Sequence, residues 1–199
     1  MKPSAFFAKL RVSHRAHEQL RREVIALSNQ ALSTSKRAIF AMHRDDRAGA
    51  STLLAQADAL FKKAERLFKR EAALAHEGAY RAALEEYAEA LLFLQYLEKG
   101  KLGPIDPRAM ESLVYLAGLC DTTGEIVRYT LRQVTLGNIR LVTLARDTVE
   151  MVIEFLLDLD ATGYLRTKAD QAKGNLKRLE EILYDLSLRQ SVDLPSRRS

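Results

Sequence analysis

The sequence predicts an all-α fold class of one domain, a bundle of about six to seven long helices. Three observations carry this. The four prolines stand at positions 3, 104, 107 and 195, so residues 4–103 and 108–194 lack the residue that most often breaks a helix. Apolar residues recur at helical spacing through both stretches, and no alternation of period two lasts more than a few residues, so no strand is expected. The chain has 199 residues, 47% hydrophobic and 29% charged, which is enough for one core and ordinary for a globular protein.

Taken in order, the first helix is expected from about Ala8 to Arg44. Leu20, Val24, Leu27, Ala31, Ala38 and Met42 form one apolar stripe, with Ile25, Leu32 and Ile39 beside it. Asp45-Asp46-Arg47-Ala48-Gly49 reads as a turn. The second helix covers Ser51 to His76 on the heptad Leu53, Ala57, Leu60, Ala64, Leu67, with Leu54, Phe61 and Phe68 beside it, and ends at Glu77-Gly78. The third, Ala79 to Lys99, turns Leu84, Tyr87, Leu91 and Leu94 inward, and Gly100 stands where a left-handed cap belongs. After the loop at 101–105, Asp106-Pro107 reads as an N-cap followed by proline at the first helical position, opening a fourth helix that runs to about Leu136. Gly118 and Gly124 inside it point to close approach, either of a ligand or, the favoured reading, of another helix. A turn at Gly137-Asn138 precedes a fifth helix, Ile139 to Leu159. A second turn at residues 160–163 precedes the sixth, Tyr164 to Arg189. There, Leu165, Ala169, Ala172, Leu176, Leu179, Leu183 and Leu186 step by heptads, a seam for the bundle or for a second subunit. The tail from Ser191 to Ser199 is polar and expected to be flexible.

Composition narrows the function classes. No apolar run is long enough for a bilayer, and residues 1–8 do not read as a signal peptide, so no membrane partner is expected. Cys120 is the only cysteine, which excludes an internal disulfide and a cysteine-based zinc site; with the other two observations this places the protein in the cytoplasm. There is no phosphate-binding Gly-rich loop, dinucleotide fingerprint or nucleophile elbow, so no small organic cofactor is expected. His14 and His17 read as surface residues, and His43 and His76 as structural ones near helix ends. Cys120 has apolar and acidic neighbours that raise a thiol pKa, which argues against a nucleophile.

Charge is informative through its distribution. Net charge is +5, yet residues 1–50 hold ten Lys/Arg against four Asp/Glu, so the excess lies in the N-terminal quarter. Arg11, Arg15 and Arg22 share a helix face, and Lys36, Arg37 and Arg44 follow. Such a stripe fits a polyanion partner or a simply solvated face. The acids are patterned too. Glu86 and Glu89 are spaced i, i+3, and Asp121 and Glu125 i, i+4, so each pair shares a helix face. If those faces meet, four carboxylates converge and require cations. Mg²⁺ or Mn²⁺ takes oxygen ligands of this kind and promotes phosphodiester hydrolysis. The plainer alternative is two acidic pairs on solvated faces.

Four stretches resemble the translin family, over about residues 20–195 in order. Arg22-Glu23 to Leu27-Ser28, then Ser35-Lys36-Arg37-Ala38-Ile39-Phe40 and His43-Arg44, resemble that family's first helix, most of all in its catalytic branch, translin-associated factor X. Glu86-Tyr87-Ala88-Glu89-Ala90 is similar to the branch's Glu-Tyr-Val-Glu-Ala motif. Tyr115-Leu116-Ala117-Gly118-Leu119 with Asp121-Thr122-Thr123-Gly124-Glu125-Ile126-Val127-Arg128 is similar to its next motif, and Lys177 to Arg189 resembles the family's ending. The resemblance implies an all-α fold, assembly into octameric shells that enclose RNA or single-stranded DNA, and a metal-dependent endoribonuclease. Its acidic residues match Glu86, Glu89, Asp121 and Glu125. On this reading these four are both catalytic and metal-holding, while Lys36, Arg37, Arg44, Arg128, Arg15 and Arg22 bind nucleic acid. The chain is shorter than the eukaryotic members, with a compact loop at 100–106, and a homo-oligomer that is both shell and enzyme is expected. The alternatives are a non-catalytic RNA- or single-stranded-DNA-binding shell and, from the heptads alone, a helical scaffold for other proteins.

Overall fold

The computed structural model describes residues 4–105 and 110–192, with side chains through Arg189. Among the described residues there are six α-helices, one 3₁₀ turn and no strand. No helix among them is long and apolar enough to cross a membrane. The helices are α1 (Ala5–His43), α2 (Arg47–Phe68), α3 (Gly78–Lys99), α4 (Ser112–Thr135), α5 (Leu141–Asp158) and α6 (Gly163–Val192), with the 3₁₀ turn at Ala72–His76. The chain divides into two compact units, residues 1–90 and 91–199.

In the first unit α1 and α2 form a helical hairpin. Its seam keeps most of the expected residues and adds others. The seam positions on α1 are Val24, Ser28, Ala31, Ser35, Ala38 and Met42, with Ile39, Ala41 and His43 also buried, and on α2 they are Ala50, Leu54, Ala57, Phe61 and Ala64. Both sets step by heptads of mostly small residues, which lets the helices approach closely. The two serines look polar in sequence but fit the seam. Ser28 donates to the Val24 carbonyl at 2.7 Å and Ser35 to the Ala31 carbonyl at 3.0 Å, so neither hydroxyl is left unsatisfied. The α2 stripe is therefore centred one residue along from Leu53 and Leu60, which are only half-buried.

The hinge is tighter than expected. Asp45 takes the left-handed conformation (φ 62°) and Asp46 caps α2, accepting from the Gly49 N–H at 2.8 Å. A Cβ at Gly49 would lie 2.1 Å from that carboxylate, so any larger residue there would make the capping side chain shift. Helix α2 thus begins four residues before Ser51. It also ends earlier, at Phe68, and the residues expected to finish it form the 3₁₀ turn. Two long-range pairs hold that turn region to α1. His17 Nδ1 and Glu71 Oε1 lie 2.7 Å apart, and Arg21 Nε donates to Glu77 Oε2 at 3.0 Å. His17 is therefore a half-buried partner of Glu71 rather than a solvated surface residue. Phe61, Phe68, Tyr80 and Tyr87 dock the first turns of α3 against α2, with ring centroids 4.8–5.7 Å apart.

In the second unit α4, α5 and α6 pack on one another. Gly100 closes α3 with φ 65°, as expected. The loop after it is pinned by two bonds to its carbonyls, Gln95 Nε2 to Pro104 O at 2.9 Å and the Tyr115 hydroxyl to Gly103 O at 3.1 Å. The Asp106-Pro107 cap lies outside the described residues, as does the tail from residue 193. Met110 and Glu111 are not helical, so α4 starts at Ser112, later than the prolines implied. Four residues of the expected α6 stripe, Leu165, Ala169, Ala172 and Leu179, are buried in its own bundle; Leu176, Leu183 and Leu186 are only half-buried, and Ile182, outside the stripe, is buried. On α5, by contrast, Leu144, Met151 and Phe155 share a face and are exposed. Met151 and Phe155 help line a groove of about 340 Å³ with Leu102, Tyr115 and Leu119.

Because Leu179 is fully buried, Leu179→Ala should destabilise the chain by about 2–5 kcal/mol. Leu188→Ala, at an exposed position of the same helix, should change stability by less than about 0.5 kcal/mol. Denaturant unfolding of the two variants measures the difference, and equal stability would contradict the α6 packing.

Candidate metal and nucleic-acid site

Helix α3 places Glu86 and Glu89 on one face of the first unit, and α4 places Asp121 and Glu125 on one face of the second. Glu89 is the most enclosed, at 8% exposure. In the first unit Lys36 on α1 reaches Glu86, Nζ to Oε2 at 3.7 Å; the lysine side chain is 55% exposed and the carboxylate 18%. This brings together two residues expected to do different work, one binding phosphate and the other holding metal.

The α4 acids are paired as well. Arg128 Nη1 lies 3.7 Å from Glu125 Oε2, one turn away on the same helix. Asp121 receives a hydrogen bond from Lys168 Nζ on α6, and both side chains are largely enclosed. The Lys168 ammonium also lies 5.4 Å from the centroid of the Tyr164 ring. Burial pushes its pKa down, but the hydrogen bond and charge of Asp121, followed by Tyr164, push it up more strongly. The net result lies above the usual lysine range.

Two turns of α4 are held from α6 around these acids. Asn175 Nδ2 donates to Thr123 Oγ1 at 2.8 Å, and a Cβ at Gly124 would meet the same amide at 3.5 Å. Close approach of a helix, the expectation for Gly124, is what is found. Thr122 and Thr123 are fully buried and satisfy their hydroxyls on the Gly118 and Cys120 carbonyls. The inward threonines leave Asp121 and Glu125 on a partly open face.

The donor chemistry suits a hard divalent cation, since carboxylates supply only oxygen. Among the described residues, however, no three His, Cys, Asp or Glu side chains stand together as a metal-holding group. Three of the four acids instead lie beside a lysine or arginine. The expected nucleic-acid residues Arg15, Arg22, Arg37, Arg44 and Arg128 are exposed, as is Lys36. Lys168 and Asn175 were not anticipated. No motif marks them, although both lie beside members of the α6 heptad.

With this geometry described, comparison with known proteins places the fold. The model of the Translin family matches residues 19–114 and 109–190, and the chain belongs to that family. The crystal structure of apo-NeC3PO superposes with a TM-score of 0.80 at 25% identity, over 91% of this chain and 96% of that one. The crystal structure of AfC3PO matches with a TM-score of 0.80 at 22% identity, over 91% and 97%. AfC3PO in its duplex RNA complex matches with a TM-score of 0.80 at 21% identity, over 96% and 99%. No curated protein matches the chain.

Cys120, next to Asp121, is buried, and its thiol is pushed up to about 12, first by burial and then by the Asp121 charge. A raised folded-state pKa favours the protonated native form. This stabilisation is fully present below the ordinary thiol value of 9.0 and is lost as pH climbs from there toward about 12. An aromatic disulfide reagent at pH 8 should therefore leave the native thiol unlabelled and modify it only after denaturation. Rapid labelling of the native chain would contradict this environment.

Proposed function

We propose that the chain is a metal-dependent endoribonuclease that binds RNA through its basic first helix and works as a homo-oligomeric shell. The observation that carries the reading is the complete acidic set. Glu86, Glu89, Asp121 and Glu125 occupy the positions that match the catalytic branch of the family, and three of the four are more than three-quarters enclosed. The similarity to AfC3PO in its duplex RNA complex supports RNA as the polyanion. Glu86 with Glu89 in the first unit, and Asp121 with Glu125 in the second, would offer carboxylates to Mg²⁺ or Mn²⁺, which supplies Lewis acidity and activates water for attack on a phosphodiester. The chain's own part is to hold and orient. Arg15, Arg22, Arg37 and Arg44 offer exposed guanidinium groups to successive phosphates. Lys36 and Arg128 are about half-exposed and can pass from carboxylate to phosphate.

A second reading, a shell that binds RNA without cutting it, is favoured by the pairing of Glu86, Asp121 and Glu125 with internal cations. Incubation of labelled RNA with Mg²⁺, Mn²⁺ or EDTA separates the two. We expect metal-dependent cutting that Glu89→Gln largely abolishes while RNA binding persists. Glu85 lies about 100° round the helix from Glu86, so Glu85→Gln should cut nearly as well as wild type. Replacing Lys36 and Arg37 with Ala should weaken binding and flatten its logarithmic salt dependence by about one to two. Gel shift without cutting in any metal would leave the binding shell as the answer, and an active Glu89→Gln would show the metal-facing side to be misassigned.

The homo-oligomer, octameric by resemblance, is proposed to form through the exposed α5 face, since the α6 seam is already used inside its own bundle. Met151→Glu with Phe155→Glu should lower the mass seen by light scattering and leave helicity intact. A wild-type monomer at micromolar concentration would sink the shell.

A further inference from the structure

Lys168 is the charged residue that neither the sequence motifs nor the proposed chemistry absorbs. It comes from α6, 47 residues along the chain from Asp121, and its side chain is only 17% exposed. A long cationic side chain is rarely held that far from water unless its charge is matched. Here the match is Asp121, itself 27% exposed, with Tyr164 along the stem. The neighbouring acid is matched by Arg128, so Lys168 and Arg128 together cancel the charge of Asp121 and Glu125. The two cations differ in kind. Arg128 is 51% exposed and one turn from its partner, an arrangement that water screens and opens readily. Lys168 is enclosed, and its pair ties two helices together.

A carboxylate already neutralised by an enclosed ammonium is a poorer ligand for a second cation. The incoming charge must either displace the lysine or tolerate it at close range, and like charges that close repel strongly where water is scarce. We propose that Lys168 is a resident counter-cation at Asp121, which a divalent ion must displace, so that it sets the metal concentration at which the α4 acids become occupied. In the metal-free chain it balances the charge of Asp121 and ties α4 to α6. The inference rests on the metal-holding reading of Asp121 and adds a regulating residue to it.

The test is Mn²⁺ binding by titration calorimetry on the full chain, with no RNA present. Lys168→Gln and Lys168→Met both remove the charge, and the second retains the apolar stem in case the first fails to fold. Each should bind Mn²⁺ about tenfold more tightly than wild type, the equivalent of about 1.4 kcal/mol. Lys173→Gln removes a cation from the same helix, one paired with Asp170 at 3.2 Å, and should leave the affinity unchanged. In an Asp121→Asn background the Lys168 change should gain nothing. Equal affinity in wild type and both Lys168 variants overturns the counter-cation role while leaving the metal reading intact. The same holds if Lys173→Gln gains as much, or if the gain survives without Asp121. Absence of any Mn²⁺ heat from wild type and from both Lys168 variants would instead overturn the metal reading itself.

Discussion

A carboxylate that loses its water must gain a positive partner, and much of this chain's arrangement follows from that constraint. Glu89 is almost fully enclosed on α3, while Glu86, Asp121 and Glu125 keep only part of their surface exposed. Lys36, Lys168 and Arg128 each stand beside one of them, and two of the three come from a different helix than the acid they attend. The pairs are unequal. Those of Lys36 and Arg128 are half-exposed, screened by water and readily opened, whereas the Lys168 pair is drawn in between α4 and α6. The same acids proposed to hold a divalent cation therefore also shape the helix contacts of the chain.

The frame that carries them is built from small residues. Ala50, Ala57 and Ala64 on α2 and Ala31, Ala38, Ser28 and Ser35 on α1 let the first hairpin close tightly. The opposite side of the long α1 helix keeps Arg11, Arg15, Arg22 and Arg37 exposed. On α6, Ala169 and Ala172 are buried against its neighbours, and Asn175 reaches Thr123 beside Gly124.

What could be read from the sequence follows physical lines. The number and order of helices were legible because Gly100, Gly137 and Gly163 take left-handed conformations where the chain turns, and the proline-free stretches allowed long helices between them. The end of α2 was not legible. No glycine or proline marks residues 69–71, and the break is associated with side-chain partners more than fifty residues away, His17 and Arg21. The α1 seam was half legible, because a serine that bonds its own helix behaves as a small core residue while looking polar in sequence. The acidic pairs were legible from spacing and from resemblance. Their cations were not, since a lysine next to a heptad alanine carries no sign of the acid it will meet.

The central claim is that Glu86, Glu89, Asp121 and Glu125 are metal-holding residues. Diffraction from Mn²⁺-soaked crystals, with anomalous differences collected at the manganese edge, tests it most directly. The account predicts manganese peaks about 2.0–2.3 Å from carboxylate oxygens of these residues, with Lys168 withdrawn from Asp121. A map in which the four carboxylates keep their lysine and arginine partners at saturating Mn²⁺, with manganese only on scattered surface acids, would contradict it.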